Sequence, residues 1–310
     1  MHKIAIVIPT YNPGSHAISM INAIRDQDLM VSKVVIIDSS SEDGSCELWK
    51  DAGFDVISIS KSDFDHGASR NLGARMAMDC DILIFMTQDA VPENAETLRN
   101  LVEPIISRQA DALYARQLAR PDASYIESLT RSYNYPAQEN QKFALKHTGS
   151  SSNGARKYFF SNVCSAYRVE AFKAVGGFEE GIILNEDVVI CKRMMDQGYR
   201  VGYSSSAKVI HSHEYTIKKD FSRSFDIGVS HSDISALKNL NSEGEGLKYV
   251  KFILSNLYIN KKPLIPRFIL HSFARYMGYY LGKNHRLLGK KISKKFSMHK
   301  GYWLNARRSL

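Results

Sequence analysis

The chain has 310 residues, 44% of them hydrophobic, and a formal net charge of +9, a length and apolar content that suit a packed domain and exclude a disordered chain. The charge is unevenly placed, because residues 246–310 hold 15 of the 41 Lys and Arg and none of the 32 Asp and Glu. Such a split marks a tail that meets a polyanion, and it leaves nucleic acid and anionic lipid both open.

The first apolar run, Ile4 to Pro9, is too short for the core of a secretory signal. No stretch approaches the roughly 18 to 20 uninterrupted apolar residues of a spanning helix. Cys46, Cys80, Cys164 and Cys191 lie far apart with no C-x-x-C pair, so they read as reduced thiols of a cytoplasmic protein. Up to residue 117, short apolar runs at 4–8, 34–37, 56–59, 82–86 and 112–115 alternate with helical patterns near 15–28, 43–52, 67–78 and 94–107. This alternation predicts an α/β fold with a mostly parallel sheet flanked by helices, whose ligands bind beyond the carboxyl ends of the strands. The turn after the first strand has the single glycine Gly14 and no G-x-G-x-x-G, and the chain has no P-loop, which argues against a dinucleotide or ATP enzyme.

Each strand end carries polar residues. Strand one ends in Pro9-Thr10-Tyr11-Asn12. Strand two ends in Asp38, whose carboxylate can accept the imide N–H of a pyrimidine base or simply cap the next helix; Ser40 beside it offers a hydroxyl to base or ribose. After strand three, Phe64-Asp65-His66-Gly67-Ala68-Ser69-Arg70-Asn71 reads either as an anion-binding helix start with Arg70 on phosphate or as an ordinary capped helix. Strand four ends in Thr87-Gln88-Asp89, where a carboxylate can hold a divalent ion between phosphate oxygens. Residues 118–160 are polar and poorly periodic, with a Gly/Ser/Asn run at 149–154, and read as a long loop. Beyond it, a helix near 169–175 and another at 187–197 precede strand-like segments at 199–203 and 207–211, and the chain is helical after 218. Asn185-Glu186-Asp187 either caps the helix at 187–197 or supplies a general base. His211-Ser212-His213 places two imidazoles close enough to serve a metal, with structural histidines as the alternative.

Taken together these segments resemble the family-2 glycosyltransferases, inverting enzymes with the nucleotide-sugar fold known as type A. IVIPTYNPG is similar to the family's opening strand, IIDSSSEDGS to its V-D-D-G-S-x-D-G-T segment, and GGFEEGIILNEDVVICKRMMDQGYRV to its acceptor-side segment ending in the E-D pair. FDHGASRNLGA, MTQDAVP and VIHSHEYTIKKDFSRSFDIGVSH resemble the bacterial rhamnosyltransferase branch, which uses dTDP-L-rhamnose to build O-antigen and other surface polysaccharides. The sequence departs from the family's D-x-D at Thr87-Gln88-Asp89, so only Asp89 is left as the metal carboxylate.

The resemblance implies that Pro9, Thr10, Tyr11, Asp38 and Ser40 hold base and ribose, with Gln88, His66 and Arg70 also on the donor. It implies Asp89 with His211 or His213 around Mn²⁺ or Mg²⁺, and Asp187 as base beside Glu186. It further implies a lipid-linked saccharide as acceptor. The expected division is a nucleotide-sugar half at 1–117, an acceptor-side half of the same catalytic domain at 118–230, and a helical basic extension at 231–310. In that extension Ile265, Ile269, Phe273, Tyr276 and Tyr280 fall on one helical stripe, while Arg267, His271 and Arg275 fall on another face and lysines follow, which predicts a helix lying on an anionic membrane surface. No nucleic acid is expected. Two other readings stay open: a UDP-sugar donor, and a non-catalytic carbohydrate- or nucleic-acid-binding protein.

Overall fold

In the computed structural model, residues 2–138, 142–146, 155–238 and 243–304 are described, and for Ala155 and Glu243 only the backbone. The Gly/Ser/Asn run at 149–154 lies outside the described residues. β1 (Ile4–Thr10), β2 (Lys33–Asp38), β3 (Asp55–Ser58) and β4 (Ile82–Met86) form parallel neighbours in the order β3-β2-β1-β4. Apolar residues on both pleat faces, which β1, β2 and β4 have, suit a strand covered on both sides. Ile4, Ile6 and Ile8 face one core with α1 (His16–Arg25), α2 (Ser45–Asp51) and α4 (Thr97–Ile106), where Met20, Trp49 and Leu101 are fully buried. Ala5 and Val7 face the other, against α3 (His66–Arg75), α6 (Val169–Ala174) and α7 (Glu186–Asp196).

Beyond β4 the sheet becomes mixed. β8 (Cys164–Arg168) runs antiparallel between β4 and β6 (Ala112–Leu118), and β9 (Val201–Ile210) lies parallel to β6. The short β5 (Val91–Pro92) and β7 (Phe143–Leu145) pair antiparallel with β9. The two strand-like segments expected at 199–203 and 207–211 are one strand, whose pairing shifts register opposite Ala115 and Arg116. The segment expected to be a long loop contains α5 (Tyr125–Asn134) as well as β7. The apolar residues Tyr125, Ile126 and Leu129 of α5 pack on Ile253, Leu257 and Phe268, which follow more than a hundred residues later, so local sequence does not announce its burial.

The C-terminal part is helical, as expected: α8 (Ile217–Asp233), α9 (Glu243–Asn260), α10 (Ile265–Lys283) and α11 (His285–Phe296). α10 lies along α8 with glycines in the seam. A methyl on Gly282 would fall on the Phe225 carbonyl, one on Gly278 on that of Phe221, and one on Gly228 on that of Tyr279. Arg275 and His271 face inward and share the buried Asp220, at 2.9 Å and 2.6 Å. The apolar stripe faces outward instead: Ile269, Phe273, Tyr276 and Tyr280 are each more than half exposed, and Ile265 is half-buried. The helix is thus amphipathic, but Arg275 and His271 hold it to the protein and its apolar side is left uncovered. No helix among the described residues is long and apolar enough to cross a membrane.

Candidate active site

The carboxyl ends of β1, β2 and β4 meet at one edge, where the loops are laced together. Ser41 donates its hydroxyl (2.5 Å) and its N–H (2.9 Å) to the Asp38 carboxylate, which is 1% exposed. Asn12 N–H donates to Ser41 Oγ, Glu42 N–H to Asn12 Oδ1, and Gly14 N–H to Asp43 Oδ2. The Ser40 hydroxyl donates to the carbonyl of Ile59, just past the end of β3, at 2.8 Å, with Ser40 itself in the left-handed region at φ 62°. Gln88 accepts from Tyr11 N–H at 2.7 Å and from the Thr10 hydroxyl at 3.0 Å, and donates to the Tyr11 carbonyl at 3.1 Å. Accepting and donating at once is what an amide can do, and Gln88, the middle residue of Thr87-Gln88-Asp89, thereby clamps the end of β1 to that of β4. Tyr11 is left with its ring exposed beneath the Lys61 ammonium, and the half-buried Pro9 precedes it on β1.

The start of α3 differs from the expected phosphate cradle. Its first free N–H groups, on Gly67 and Ala68, are taken by Asp65 Oδ1 at 3.0 and 2.8 Å, and Asp65 Oδ2 accepts from Gly181 N–H at 3.1 Å. Gly67 is required by the Glu179 backbone, on whose carbonyl a Cβ would fall. Arg70 points inward: its guanidinium donates to the His66 carbonyl at 2.9 Å and pairs with Glu186 at 3.1 Å, both side chains being 6% exposed. The helix start is thus capped by Asp65, and Arg70 is the partner of Glu186. His66 packs edge-on against Phe64, and its Nε2 is buried without a hydrogen-bond partner among the described residues. Burial, with Arg70 and Arg223 nearby, pushes the His66 pKa down to about 3.

Glu186 and Asp187 open α7, after Asn185 in the left-handed region at φ 72°. Asn162 Nδ2 lies 3.4 Å from Glu186 Oε1 while its own Oδ1 accepts from Ser165 and Tyr167. Asp187 takes part in no ion pair among the described residues, and its Oδ1 accepts from Val188 N–H at 2.8 Å. Burial first, and then the neighbouring Glu186 charge, push its pKa up to about 7.

Asp89, His211 and His213 converge at the ends of β4 and β9, with ligand atoms all within 4.8 Å of one another. His211 Nδ1 is 3.0 Å from Gln117 Oε1, which also accepts from Arg131 at 2.5 Å, while Gln117 Nε2 donates to Tyr135 and Ser161. Gln117 Oε1 is thus an acceptor, so His211 donates through Nδ1 and presents a bare Nε2 to Asp89 Oδ1 at 3.5 Å. His213 Nε2 lies 3.3 Å from Asp89 Oδ2. Burial holds both imidazoles below their usual pKa, hence neutral. A carboxylate oxygen and two imidazole nitrogens thus converge on one point, a candidate site for a divalent metal ion.

Sequence reasoning missed four further side chains here. Gln117 and Arg131 orient His211. Arg223 of α8 has no carboxylate partner among the described residues, and its charge lowers the pKa of His66, His211, His213 and His299. His299, near the end of the chain, stacks edge-on against His66 with ring centres 5.0 Å apart. Beside His213 a cavity of about 340 Å³ opens between α5, α8 and α10, lined among others by Arg131, Arg223, Arg267 and Glu214. All four cysteines are free.

Comparison with known proteins fits this geometry. Residues 5–176 match the family description "Glycosyl transferase family 2". The chain is 36% identical to the O-antigen chain rhamnosyltransferase RfbN of Salmonella typhimurium, with 98% of this chain and 96% of that one covered. It is 35% identical to WbaN, the protein of the same description in Salmonella anatum, over 98% and 97% of the two chains. Among solved structures, S. aureus TarS 1-349 in complex with UDP-GlcNAc superposes with a TM-score of 0.51 at 15% identity, covering 97% of this chain and 85% of that one. The mannosyltransferase PcManGT from Pyrobaculum calidifontis, in complex with GDP-Man and Mn²⁺, gives 0.53 at 15% identity over 98% and 85%. The last two likenesses establish the type A fold, and the sequence matches establish descent: the chain belongs to glycosyltransferase family 2 and is a glycosyltransferase.

Proposed function

We propose that the enzyme moves L-rhamnose from dTDP-L-rhamnose onto a hydroxyl of a lipid-linked saccharide, with inversion, at the cytoplasmic face of a membrane during O-antigen or related polysaccharide synthesis. The observation that carries the chemistry is the contrast between two adjacent carboxylates. Glu186 is paired with Arg70, whereas Asp187 takes part in no ion pair among the described residues and has a pKa raised toward neutrality, the state that lets a carboxylate take a proton from an incoming hydroxyl. The names of RfbN and WbaN support the donor sugar and the polysaccharide context.

In this reading the laced edge of β1 and β2 receives the base and ribose, with Asp38 already oriented by Ser41 and Tyr11 offering its ring. Asp89, His211 and His213 would hold Mn²⁺ or Mg²⁺, which when bound supplies positive charge to the departing diphosphate. Arg223, which lies over the Tyr215 ring beside that cluster and has no carboxylate partner among the described residues, adds a guanidinium to the same leaving group, the role that Arg70 cannot fill while it pairs with Glu186. The acceptor enters by the cavity beside His213, and Asp187 removes its proton as the hydroxyl attacks the anomeric carbon. The uncovered stripe of α10 and the lysines after it rest on anionic lipid.

The test is a panel of dTDP-, UDP- and GDP-sugars assayed for hydrolysis and transfer with Mn²⁺, with Mg²⁺ and with a chelator. dTDP-L-rhamnose is expected to turn over fastest and to need the metal. A preference for a UDP-sugar overturns the donor, and undiminished turnover in chelator overturns the metal centre.

A further inference from the structure

Residues 297–304 return from the far end of the sequence to His66 at the start of α3 and are fastened there by buried groups. Met298 and His299 donate their backbone N–H groups to Asp226 Oδ2 at 2.9 and 3.1 Å, and Asp226 on α8 is fully buried. Trp303, 8% exposed, joins a cluster with Phe225, Val229, Ile183 and Leu184, the last two immediately before the Asn185 turn that launches Glu186 and Asp187. This double fastening fixes where the intervening His299 points. Its ring meets His66 edge-on at 5.0 Å, and His66 meets Phe64 the same way at 5.0 Å, so three rings stand in a row beside the Arg70–Glu186 pair. His66 Nε2 is buried with no hydrogen-bond partner among the described residues. A neutral imidazole carries one donor and one acceptor, the combination that a sugar hydroxyl complements, while ring edges and faces suit the C–H side of a sugar.

We propose that His299 and His66 form one wall of the donor-sugar subsite, so that the C-terminal segment supplies a substrate-contacting residue and is part of the binding site as well as an appendage. The proposal rests on the donor reading above. Burial keeps both rings neutral, His299 with a pKa pushed down to about 3, so each retains an acceptor nitrogen at working pH.

The experiment compares His299→Ala, His299→Gln and His299→Phe in the full chain, titrating dTDP and dTDP-L-rhamnose separately by calorimetry with Mn²⁺ present and recording KM, kcat and melting temperature. His299→Ala should bind dTDP as the unaltered enzyme does but lose about tenfold in affinity for dTDP-L-rhamnose, the size of one hydrogen bond, with KM rising more than kcat falls. Gln should recover part of that loss, and Phe, which keeps the ring but not the polar atoms, less. Equal weakening of both nucleotides would mean that His299 only props the fold, and no weakening would mean that it does not touch the sugar; either result overturns the proposal. If the unaltered enzyme prefers another nucleotide sugar, the donor reading fails separately, and the same comparison between that sugar nucleotide and its bare nucleotide decides on His299.

Discussion

Glu186 and Asp187 share one helical turn yet meet opposite surroundings, and the difference predicts separable effects. Asp187→Asn should retain donor affinity while turnover falls by roughly 10² to 10⁴-fold, the usual cost of a lost general base. Because the base acts ionised, turnover of the unaltered enzyme should rise with pH through about 7, and a pH–rate profile reads this directly. The same shift bears on stability with the opposite sense. The carboxyl has an ordinary value of 3.8 in the unfolded chain and is raised in the fold, so its contribution is fully present below 3.8 and is lost as pH rises through about 7. Asp187→Asn, which never ionises, should therefore melt above the unaltered protein at pH 8 and close to it at pH 4. Arg70 presents the reverse case. Arg70→Met strands the Glu186 carboxylate in a site 6% exposed and should cost roughly 3 to 5 kcal/mol in urea unfolding, whereas adding Glu186→Gln should restore most of that. If the single and double variants unfold alike, the pair is not what stabilises the start of α7.

Among the elements, the seam between α8 and α10 gives the clearest contrast. Gly282→Ala would be favourable in an isolated helix, yet here the added methyl meets the Phe225 carbonyl, so a loss of about 1 to 3 kcal/mol is expected. Gly246→Ala in α9, where nothing lies within 4 Å, should instead gain about 0.5 to 1 kcal/mol, and thermal melting of the two variants distinguishes packing from propensity. Neither role is visible in the sequence, since both glycines stand in equally helical surroundings. The same limit explains what else was legible. Thr10, Asp38, Asp89 and His211 stood out because each follows an apolar strand, where a polar residue is conspicuous. Gln117, Arg223 and His299 did not, because each is one polar residue among many until folding brings it beside a site histidine. β8 was missed because Cys-Ser-Ala-Tyr-Arg is short and only half apolar, and its strand character comes from being sandwiched between β4 and β6. The helix-start motif at His66 to Asn71 was seen, but its glycine serves the Glu179 backbone and its arginine serves Glu186.

For the whole molecule, the decisive asymmetry is that α10 turns its apolar stripe outward while lysines gather beyond it. Lys290, Lys291 and Lys295 are exposed, as are Leu287 and Ile292. Co-sedimentation with phosphatidylglycerol vesicles at low salt should capture the enzyme, and Phe273→Ser with Tyr276→Ser should release it without changing its melting temperature. Reversing Lys290 and Lys291 to Glu should lower vesicle partition by on the order of tenfold or more, at about 1 kcal/mol for each lysine near an anionic surface. Equal capture by neutral vesicles removes the lysines and anionic lipid from the account, and no effect of either pair removes this face of the protein from it. Point variants suit this question better than truncation, because cutting at 246 would also bare the α8 seam and leave Asp226 without its partners. That fastening has a temporal consequence. As a chain is synthesised from its first residue, the nucleotide edge can assemble early, while Asp226 remains a buried carboxylate awaiting donors some seventy positions downstream. On the proposed reading, the side of the sugar subsite that His299 supplies is thus the last part of the site to form.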